Sequence, residues 1–523
     1  MQTEIKQQTG IKQRAEMKQI TERSVIGVIG AGAMGAGIAQ VAAAAGHPVL
    51  LFDNAPGAAR KGIDNTGKGL DKLVARGKLD AAERDALLAR MQPIDSLNAL
   101  SDADLVIEAI IENLEIKRGL FAQLETICAP GTLFASNTSS ISITSIGAGL
   151  KQPQLLAGMH FFNPAPVMKL VEIVSGLDTD PAVAQTLHRL ATAWGKKAVY
   201  AKSTPGFIVN RLARPFYAEG LRLLEEGAAD CATLDALMRE AGGFRMGPFE
   251  LMDLIGHDVN YAVTCSVFNA YYGDTRFQPS LTQQALVDAG RLGRKSGQGF
   301  YTYRDEAEKP QPSTVAASAE HLPETIVIEG ELGSAAPLIE RWRAADINVV
   351  LREGRGLIRV GDCTLALSDG RMADERAVQD GIGALALFDL ALDYGRCSRL
   401  AVSRNRRVSD QDMDAIAALF SHIGIALTQL DDVPGLAVLR TVAMLANEAS
   451  DAVMQGVCNA ADADNAMRYG VNYPQGPLAW AEQVGLPHIH QTLSNLQSSY
   501  GEERYRPSRL LRQKLYSGAR YHD

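Results

Sequence analysis

The 523-residue sequence predicts an α/β domain on a mainly parallel sheet, then an all-α domain, then a reduced copy of each. Three observations carry this reading. Between residues 25 and about 203, short β-branched runs alternate with helical stretches, the pattern of a parallel sheet with crossover helices. From Pro205 the pattern changes, and 205–303 shows helical periodicity with almost no strand signal. The third is an internal repeat. PGFIVNRLARPFYAEG at 205–220 returns as PGLAVLRTVAMLANEA at 434–449, and GPFELMDLIG at 247–256 returns as GPLAWAEQVG at 476–485 without a change of register.

Residues 1–24 form a polar N-terminal tail, expected to be disordered or loosely helical, without the apolar core of a signal peptide. Val25–Ile29 is an apolar run suited to a buried strand. Gly30, Gly32 and Gly35 follow as G-x-G-x-x-G, small residues from Ala36 to Ala45 read as a helix packed on a sheet, and Pro48–Phe52 is a second strand. Gly30 permits the tight turn, Gly32 lets backbone amides approach a pyrophosphate, and Gly35 lets the helix meet the strand. Asp53, at the end of the second strand, is placed to accept from both ribose hydroxyls and so favours NAD over NADP. An FAD site would more often end in glutamate, and a βαβ turn with glycines only for packing would not require Asp53. The 25–204 segment is therefore read as a Rossmann-type NAD-binding domain, with further strands at Leu105–Ala109, Leu133–Ala135, Leu155–His160 and Leu170–Val174.

An all-α domain follows at 205–303, and 304–324, rich in Pro, Ala, Ser and Glu, suits a linker. In 325–433, TIVIEG at 325–330 resembles VIGVIG at 25–30, and INVVLR at 347–352 takes the place of PVLLFD. But Arg352 falls where Asp53 stood and the fingerprint has shrunk to Gly330 and Gly333. This segment reads as a degenerate Rossmann-like relic that does not bind NAD, ahead of a second all-α domain at 434–523.

Charged residues are 21% and hydrophobic ones 46%, as in ordinary globular proteins, and the net charge of −8 gives no bulk attraction to nucleic acid or an anionic membrane. No apolar run is long enough to span a bilayer. The six scattered cysteines show no metal spacing and fit free thiols in a reducing cytoplasm.

Three clusters carry candidate chemistry. In VIEAIIENLEIK at 106–117, Glu108 and Glu112 lie at and just after the carboxyl end of a strand, where open α/β sheets bind ligands, and Lys117 lies about a turn beyond Glu112. A surface ion pair is the competing reading. In ASNTSS at 135–140, Asn137 and Ser139 either face a substrate or cap a helix. In HFFNPAPVMKLVEIV at 160–174, His160 closes a strand and Glu172 lies on the next. A dehydrogenase must remove a hydroxyl proton as hydride leaves carbon. Histidine suits this, and a carboxylate on its other ring nitrogen fixes the tautomer. Asn210, in PGFIVNR, either donates to a substrate carbonyl or caps a helix.

ASNTSS, HFFNPAPVMKLVEIV, TPGFIVNR, GFRMGPFELMDLIG and GRKSGQGFY at 293–301 together resemble the L-3-hydroxyacyl-CoA dehydrogenase family, in unbroken order over about 25–303. The resemblance implies His160 as general base, Glu172 as its orienting partner, Ser139 on the substrate hydroxyl and Asn210 near the reacting carbonyl or thioester. It implies that Gly30, Ala31, Gly32, Gly35, Asp53, Glu112, Lys117, Asn137, Asn163 and Lys295 line the NAD site. Family members place a basic residue in a helical stretch after the second strand for CoA. Here that stretch is KGLDKLVARGKLD at 68–80, with Arg76 or Lys78 as candidates, and Gly69 stands where the family has a hydroxyl. The duplicated helical domain is similar to that of long bacterial members, the 3-hydroxyadipyl-CoA dehydrogenases of phenylacetate catabolism. In the second copy Leu439 replaces Asn210 and Ala401 falls near the place of Glu172, so one active site per chain is implied, with no metal. The family's helical domain dimerises, so the two copies are expected to pack as an intrachain pseudo-dimer, with homo-oligomerisation as a further option. The competing functions are 3-hydroxybutyryl-CoA dehydrogenase or another β-hydroxyacid dehydrogenase, which more usually employs a lysine base, and a non-catalytic NAD-binding protein.

Overall fold

The computed structural model describes residues 16–304 and 308–523. Most of the N-terminal tail and residues 305–307 of the linker lie outside them. The chain forms two compact units, one through Phe207 and one from Ile208 to Asp523.

The first unit is built on eight strands. They are β1 (Ile26–Ile29), β2 (Val49–Phe52), β3 (Met91–Ile94), β4 (Leu105–Glu108), β5 (Leu133–Ser136), β6 (Leu156–Phe161), β7 (Leu170–Ser175) and β8 (Lys197–Lys202), in spatial order 3-2-1-4-5-6-7-8. β1 and β4–β6 are wholly buried, which is why they read as continuous apolar runs. Ile38, Val49, Leu51, Leu105, Ile107 and Leu133 belong to the core the sheet shares with its helices. β3 and β8 were not singled out in the sequence because both are edge strands: Pro93 interrupts one, and the other has exposed lysines at both ends.

One departure from parallel order matters. β7 runs antiparallel to β6, and β8 is parallel to β7. Residues 162–169 between β6 and β7 are too few for a parallel crossover, which needs about a dozen or more. The reversal sets His160 directly opposite Glu172. Buried Lys196 fixes the connecting loop, donating to the carbonyl oxygens of Ala165 (2.5 Å) and Met168 (2.9 Å).

The second unit begins with helices Val209–Leu212, Arg214–Glu225, Cys231–Glu240, Pro248–Ile255, His257–Ala270 and Leu281–Asp288. A seven-stranded sheet follows: β9 (Thr325–Glu329), β10 (Asn348–Arg352), β11 (Leu357–Val360), β12 (Cys363–Leu367), β13 (Leu385–Phe388), β14 (Arg399–Arg404) and β15 (Ala426–Gln429), in order 10-9-11-12-13-14-15. β12–β15 repeat the parallel, antiparallel, parallel sequence of β5–β8. Where β1 pairs with parallel β4, however, β9 pairs with antiparallel β11. The crevice at which a doubly wound sheet takes its nucleotide opens outside the carboxyl ends of adjacent parallel strands, at a topological switch point. In the second sheet the strand beside β9 in the place of β4 is antiparallel, so that switch point between parallel strands is lost.

Helices Val438–Met454, Ala460–Gly470, Pro477–Val484, Leu486–Tyr500 and Arg509–Ser517 complete the unit. The repeat is physical as well as textual. Asp235 accepts from the amides of Phe249 and Glu250, and Asp464 accepts from those of Leu478 and Ala479. Phe207 and Leu436, matching residues of the two P-G motifs, share a positive φ, 44° and 54°. The two helical copies also pack through reciprocal contacts. Arg211 of the first bonds Glu448 and Gln455 of the second and stacks on Tyr271; Arg440 of the second bonds Glu219 and Glu226 of the first and stacks on Tyr500. Each of these residues has its counterpart in the other copy, the arrangement of an isologous interface.

Candidate active site

The nucleotide fingerprint sits where β1 and β4 end. Gly30 has φ of 99°, and a Cβ there would lie 2.4 Å from the carbonyl oxygen of Ala109. A Cβ on Gly35 would lie 1.8 Å from the carbonyl oxygen of Gly30, so turn and helix close only without side chains. Gly32 differs: a Cβ there would meet no protein atom within 4 Å. It precedes helix Ala33–Ala44, whose first amides and positive dipole end suit a pyrophosphate. Asp53 accepts from the amides of Ala31 (2.7 Å) and Ala55 (2.9 Å), which aims its carboxylate while leaving a lone pair on each oxygen. A cleft of about 630 Å³ beside the loop is lined by Gly32, Asp53, Lys61, Asn65, Gly69 and Pro166, among others. These residues fit a dinucleotide. Lys61 had not been singled out; it lies two turns before Gly69, in the helix of the expected CoA contact. Arg76 and Lys78 are exposed at the carboxyl end of that helix.

The loop after β5 is held from below. Lys117 is 1% exposed, with its ammonium 2.5 Å from Glu108 and 3.3 Å from Glu112, so the surface ion-pair reading fails. Glu108 also accepts from the Ser136 hydroxyl. Glu112 accepts from the Thr138 hydroxyl (2.6 Å), the Ser139 amide (3.0 Å) and both the amide and hydroxyl of Ser140. Burial pushes the Glu112 carboxyl up, but those hydrogen bonds and Lys117 outweigh it and hold the group below its ordinary value. It thus stays ionised and grips the loop that carries Ser139. Asn137 accepts from the Phe161 amide (2.8 Å), tying the loop to the strand end beside His160. The helix after the loop is capped by Ser142, so neither Asn137 nor Ser139 serves as that N-cap.

His160 Nδ1 donates to Glu172 Oε2 at 2.6 Å, with the two residues 5% and 0% exposed. The bond fixes the tautomer with a lone pair on Nε2. Phe162 and Phe207 pack on the imidazole, ring centroids 4.5 and 5.8 Å away. Asn163 is exposed in the loop that follows.

In the second unit, Asn210 is half-buried on helix Val209–Leu212, whose cap position is Ile208. Lys295 is exposed and pairs with Asp258 at 2.5 Å. GRKSGQGFY is organised by Asp253, which accepts from the amides of Phe300 and Tyr301, the Tyr303 hydroxyl and buried His257.

In the second sheet, Asp389 occupies the place of His160, its amide donating to the carbonyl of Ala401, which stands for Glu172. Fully buried Asp389 accepts from the amides of Ala437, Val438 and Leu439. Burial pushes its carboxyl up to about 6, against those bonds. The former base position has become a helix cap, and the former Asn210 position is a buried leucine.

A glycine-loop nucleotide site and a carboxylate-oriented histidine on one sheet define an NAD-dependent dehydrogenase. Residues 25–204 match the NAD binding domain of 3-hydroxyacyl-CoA dehydrogenase, and 206–303 and 435–520 both match its C-terminal domain. Residues 365–434 match the 3-hydroxybutyryl-CoA dehydrogenase reduced Rossmann-fold domain. The chain is 46% identical to 3-hydroxyadipyl-CoA dehydrogenase of Escherichia coli (strain K12) over 489 residues, 94% of this chain and 97% of that one. It is 40% identical to human mitochondrial hydroxyacyl-coenzyme A dehydrogenase over 55% of this chain and 94% of that one. A crystal structure of 3-hydroxybutyryl-CoA dehydrogenase from E. coli K12 is similar with a TM-score of 0.86 at 45% identity, covering 95% of this chain and 99% of that one. The chain belongs to the 3-hydroxyacyl-CoA dehydrogenase family and is an NAD-dependent oxidoreductase of 3-hydroxyacyl-CoA thioesters.

Proposed function

We propose that His160 is the general base in oxidation of an L-3-hydroxyacyl-CoA to the 3-oxoacyl-CoA, with 3-hydroxyadipyl-CoA among the substrates. The observation that supports the base is its buried bond to Glu172. With Nδ1 engaged, Nε2 is left to take the hydroxyl proton, and Glu172 stabilises the imidazolium that results. NAD, when bound, supplies the acceptor for the hydride that leaves C3. The family likeness assigns Ser139 to the substrate hydroxyl and Asn210 to the carbonyl or thioester. The glycine loop, Asp53 and, among neighbouring residues, Ala31, Glu112, Lys117, Asn137, Asn163 and Lys295 form the cofactor assignment, with Glu112 and Lys117 acting through the loop they hold. Arg76, Lys78 and Lys61 are candidates for the phosphates of CoA.

A dicarboxylic acyl chain is supported by the name of the 46% identical relative. Steady-state NADH formation with 3-hydroxybutyryl-, 3-hydroxyhexanoyl- and 3-hydroxyadipyl-CoA tests it: kcat/KM is expected to be highest for the adipyl thioester. Equal or higher values for the uncharged chains would remove the dicarboxylic reading and leave the butyryl alternative. Asp53→Ala is expected to erode the NAD preference over NADP mainly by weakening NAD, since the carboxylate both binds ribose hydroxyls and repels a 2′-phosphate. Kd values for the two reduced cofactors check this.

The reciprocal Arg211–Glu448 and Arg440–Glu219 pairs support an intrachain pseudo-dimer of the helical domains, which buries the face a shorter relative would present to a second subunit. The loss of the crevice by β9 supports a single cofactor site. Calorimetric titration of NADH should give one site per chain; two would show that the second sheet still binds. The lack of a disulfide among the described residues supports a cytoplasmic setting, and no described helix is long and apolar enough to cross a membrane.

A further inference from the structure

We infer that Arg214 is the specificity-determining residue that receives the terminal carboxylate of a dicarboxylic acyl chain. The inference rests on the dicarboxylic reading above and deepens it. An acyl chain ending in a carboxylate needs a cation in its pocket, because a desolvated anion without a partner is costly. Arg214 stands one helical turn after Asn210, and its Nε donates to the Asn210 carbonyl oxygen at 2.9 Å. Two other nearby arginines are unsuited. Arg211 is committed to Glu448, and Arg245 is exposed.

Arg214 is 5% exposed, yet it pairs with no carboxylate among the described residues. Its protein acceptors are neutral: the Asn210 and Asn260 carbonyls and the Thr264 hydroxyl, with the Tyr217 ring 4.8 Å away. Burial accordingly pulls the guanidinium below its ordinary pKa, opposed only by Tyr217 and Tyr473. No described residue accepts from Nη2. The other buried arginines of this unit are arranged differently: Arg211, Arg276, Arg376, Arg399 and Arg440 each hold carboxylates.

Arg214 also opens onto a cleft of about 480 Å³, within the size range of small-ligand sites. Tyr217, Ala218, Leu221, Thr264, Phe277 and Leu281 line it beside the guanidinium. The other cations of the cleft hold carboxylates. Arg222 pairs with Glu219, Arg276 with Glu448 and Asp451, Arg504 with Glu502, Glu226 with Arg440, and Glu225 accepts from Ser280. Arg214 is therefore the cation of this cleft left without a counter-ion among the described residues. In an adipyl chain the terminal carboxyl carbon is three carbons beyond the reacting one. A carboxylate accepting from Nη2 would complete the donor set of Arg214 with a charge-assisted hydrogen bond. A methyl-terminated chain of the same length would leave it unpaired.

The test compares kcat/KM for 3-hydroxyadipyl-CoA with that for 3-hydroxyhexanoyl-CoA. Arg214→Gln is expected to lower this ratio by about 10–100-fold, the worth of a charge-assisted hydrogen bond. Ala218→Glu gives an independent arm. It places a carboxylate one turn along the same helix, where it pairs with Arg214 and competes with the substrate, and the ratio should fall by at least about tenfold. If Arg214→Gln does not fold, this second variant decides. A ratio unchanged in a folded variant overturns the inference, and so does an equal loss on both thioesters, which would make Arg214 a structural support of Asn210. If the wild-type enzyme shows no preference for the adipyl chain, the dicarboxylic reading itself has failed, a result visible before any variant is made.

Discussion

His160→Gln lowers kcat/KM for 3-hydroxyacyl-CoA oxidation by about 10²–10⁴-fold, the usual worth of a positioned general base. The replacement keeps a polar group beside Glu172 but cannot accept the hydroxyl proton at catalytic rates. It also removes the ring on which Phe162 and Phe207 pack. NADH affinity is expected to stay within about twofold, because removing a group that acts on the reacting hydroxyl costs transition-state stabilisation, not cofactor binding. Single-turnover NADH formation, with NADH fluorescence titration in parallel, checks both halves. Near-parental turnover would reject His160 as the base, and a collapse of NADH binding would show that the variant had lost the domain.

Arg440→Met destabilises the protein by about 3–5 kcal/mol, the range for removing one partner of a buried ion pair. Arg440 is fully buried. It donates to Glu219 (2.8 Å) and with both terminal nitrogens to Glu226 (2.7 and 2.8 Å), while Tyr500 and Tyr505 take further bonds. Without it, Glu219 keeps Arg222 and the Tyr505 hydroxyl but loses its partner from the second copy. Urea unfolding followed by fluorescence of buried Trp480 reads the loss, and a change below about 1 kcal/mol would place this pair among those that contribute little. The pH dependence has a definite sign. Burial pushes Glu219 up, but Arg222 and Arg440 outweigh it and hold its carboxyl below the ordinary 4.5. A depressed carboxylate contributes stability that is present above the ordinary value and lost as pH falls through the folded one. The parent should therefore lose stability below about pH 4.5 more steeply than the variant.

Much of this was legible in the residues. The glycine loop, its terminal aspartate and the helical repeat are local patterns, and each is dictated by contacts over a few residues: a turn that tolerates no Cβ, a helix start that binds anions, a helix stop at G-P. The duplication was legible because the P-G and G-P marks fix backbone geometry whatever the side chains around them do. β3 and β8 were not legible, since an edge strand needs neither continuous apolar residues nor β-branched ones. Lys117 was read as open between a surface pair and a site residue, because a lysine's burial is not written in its neighbours along the chain.

What the sequence determined by itself was the class of chemistry: a dinucleotide site, a histidine with a carboxylate twelve residues on, and a second half stripped of both. Tertiary structure alone decided three further things. The reversal of β7, forced by a connection too short to cross over, sets Glu172 against His160. An antiparallel β11 beside β9, where the first sheet has parallel β4, removes the switch point that a nucleotide crevice needs. And the pairing of Arg211 with Glu448 and of Arg440 with Glu219 leaves Arg214 as a buried guanidinium without a carboxylate among the described residues. Each depends on groups distant in the chain meeting in space, and the cost of burying charge or leaving a backbone group unpaired is settled only by what stands opposite.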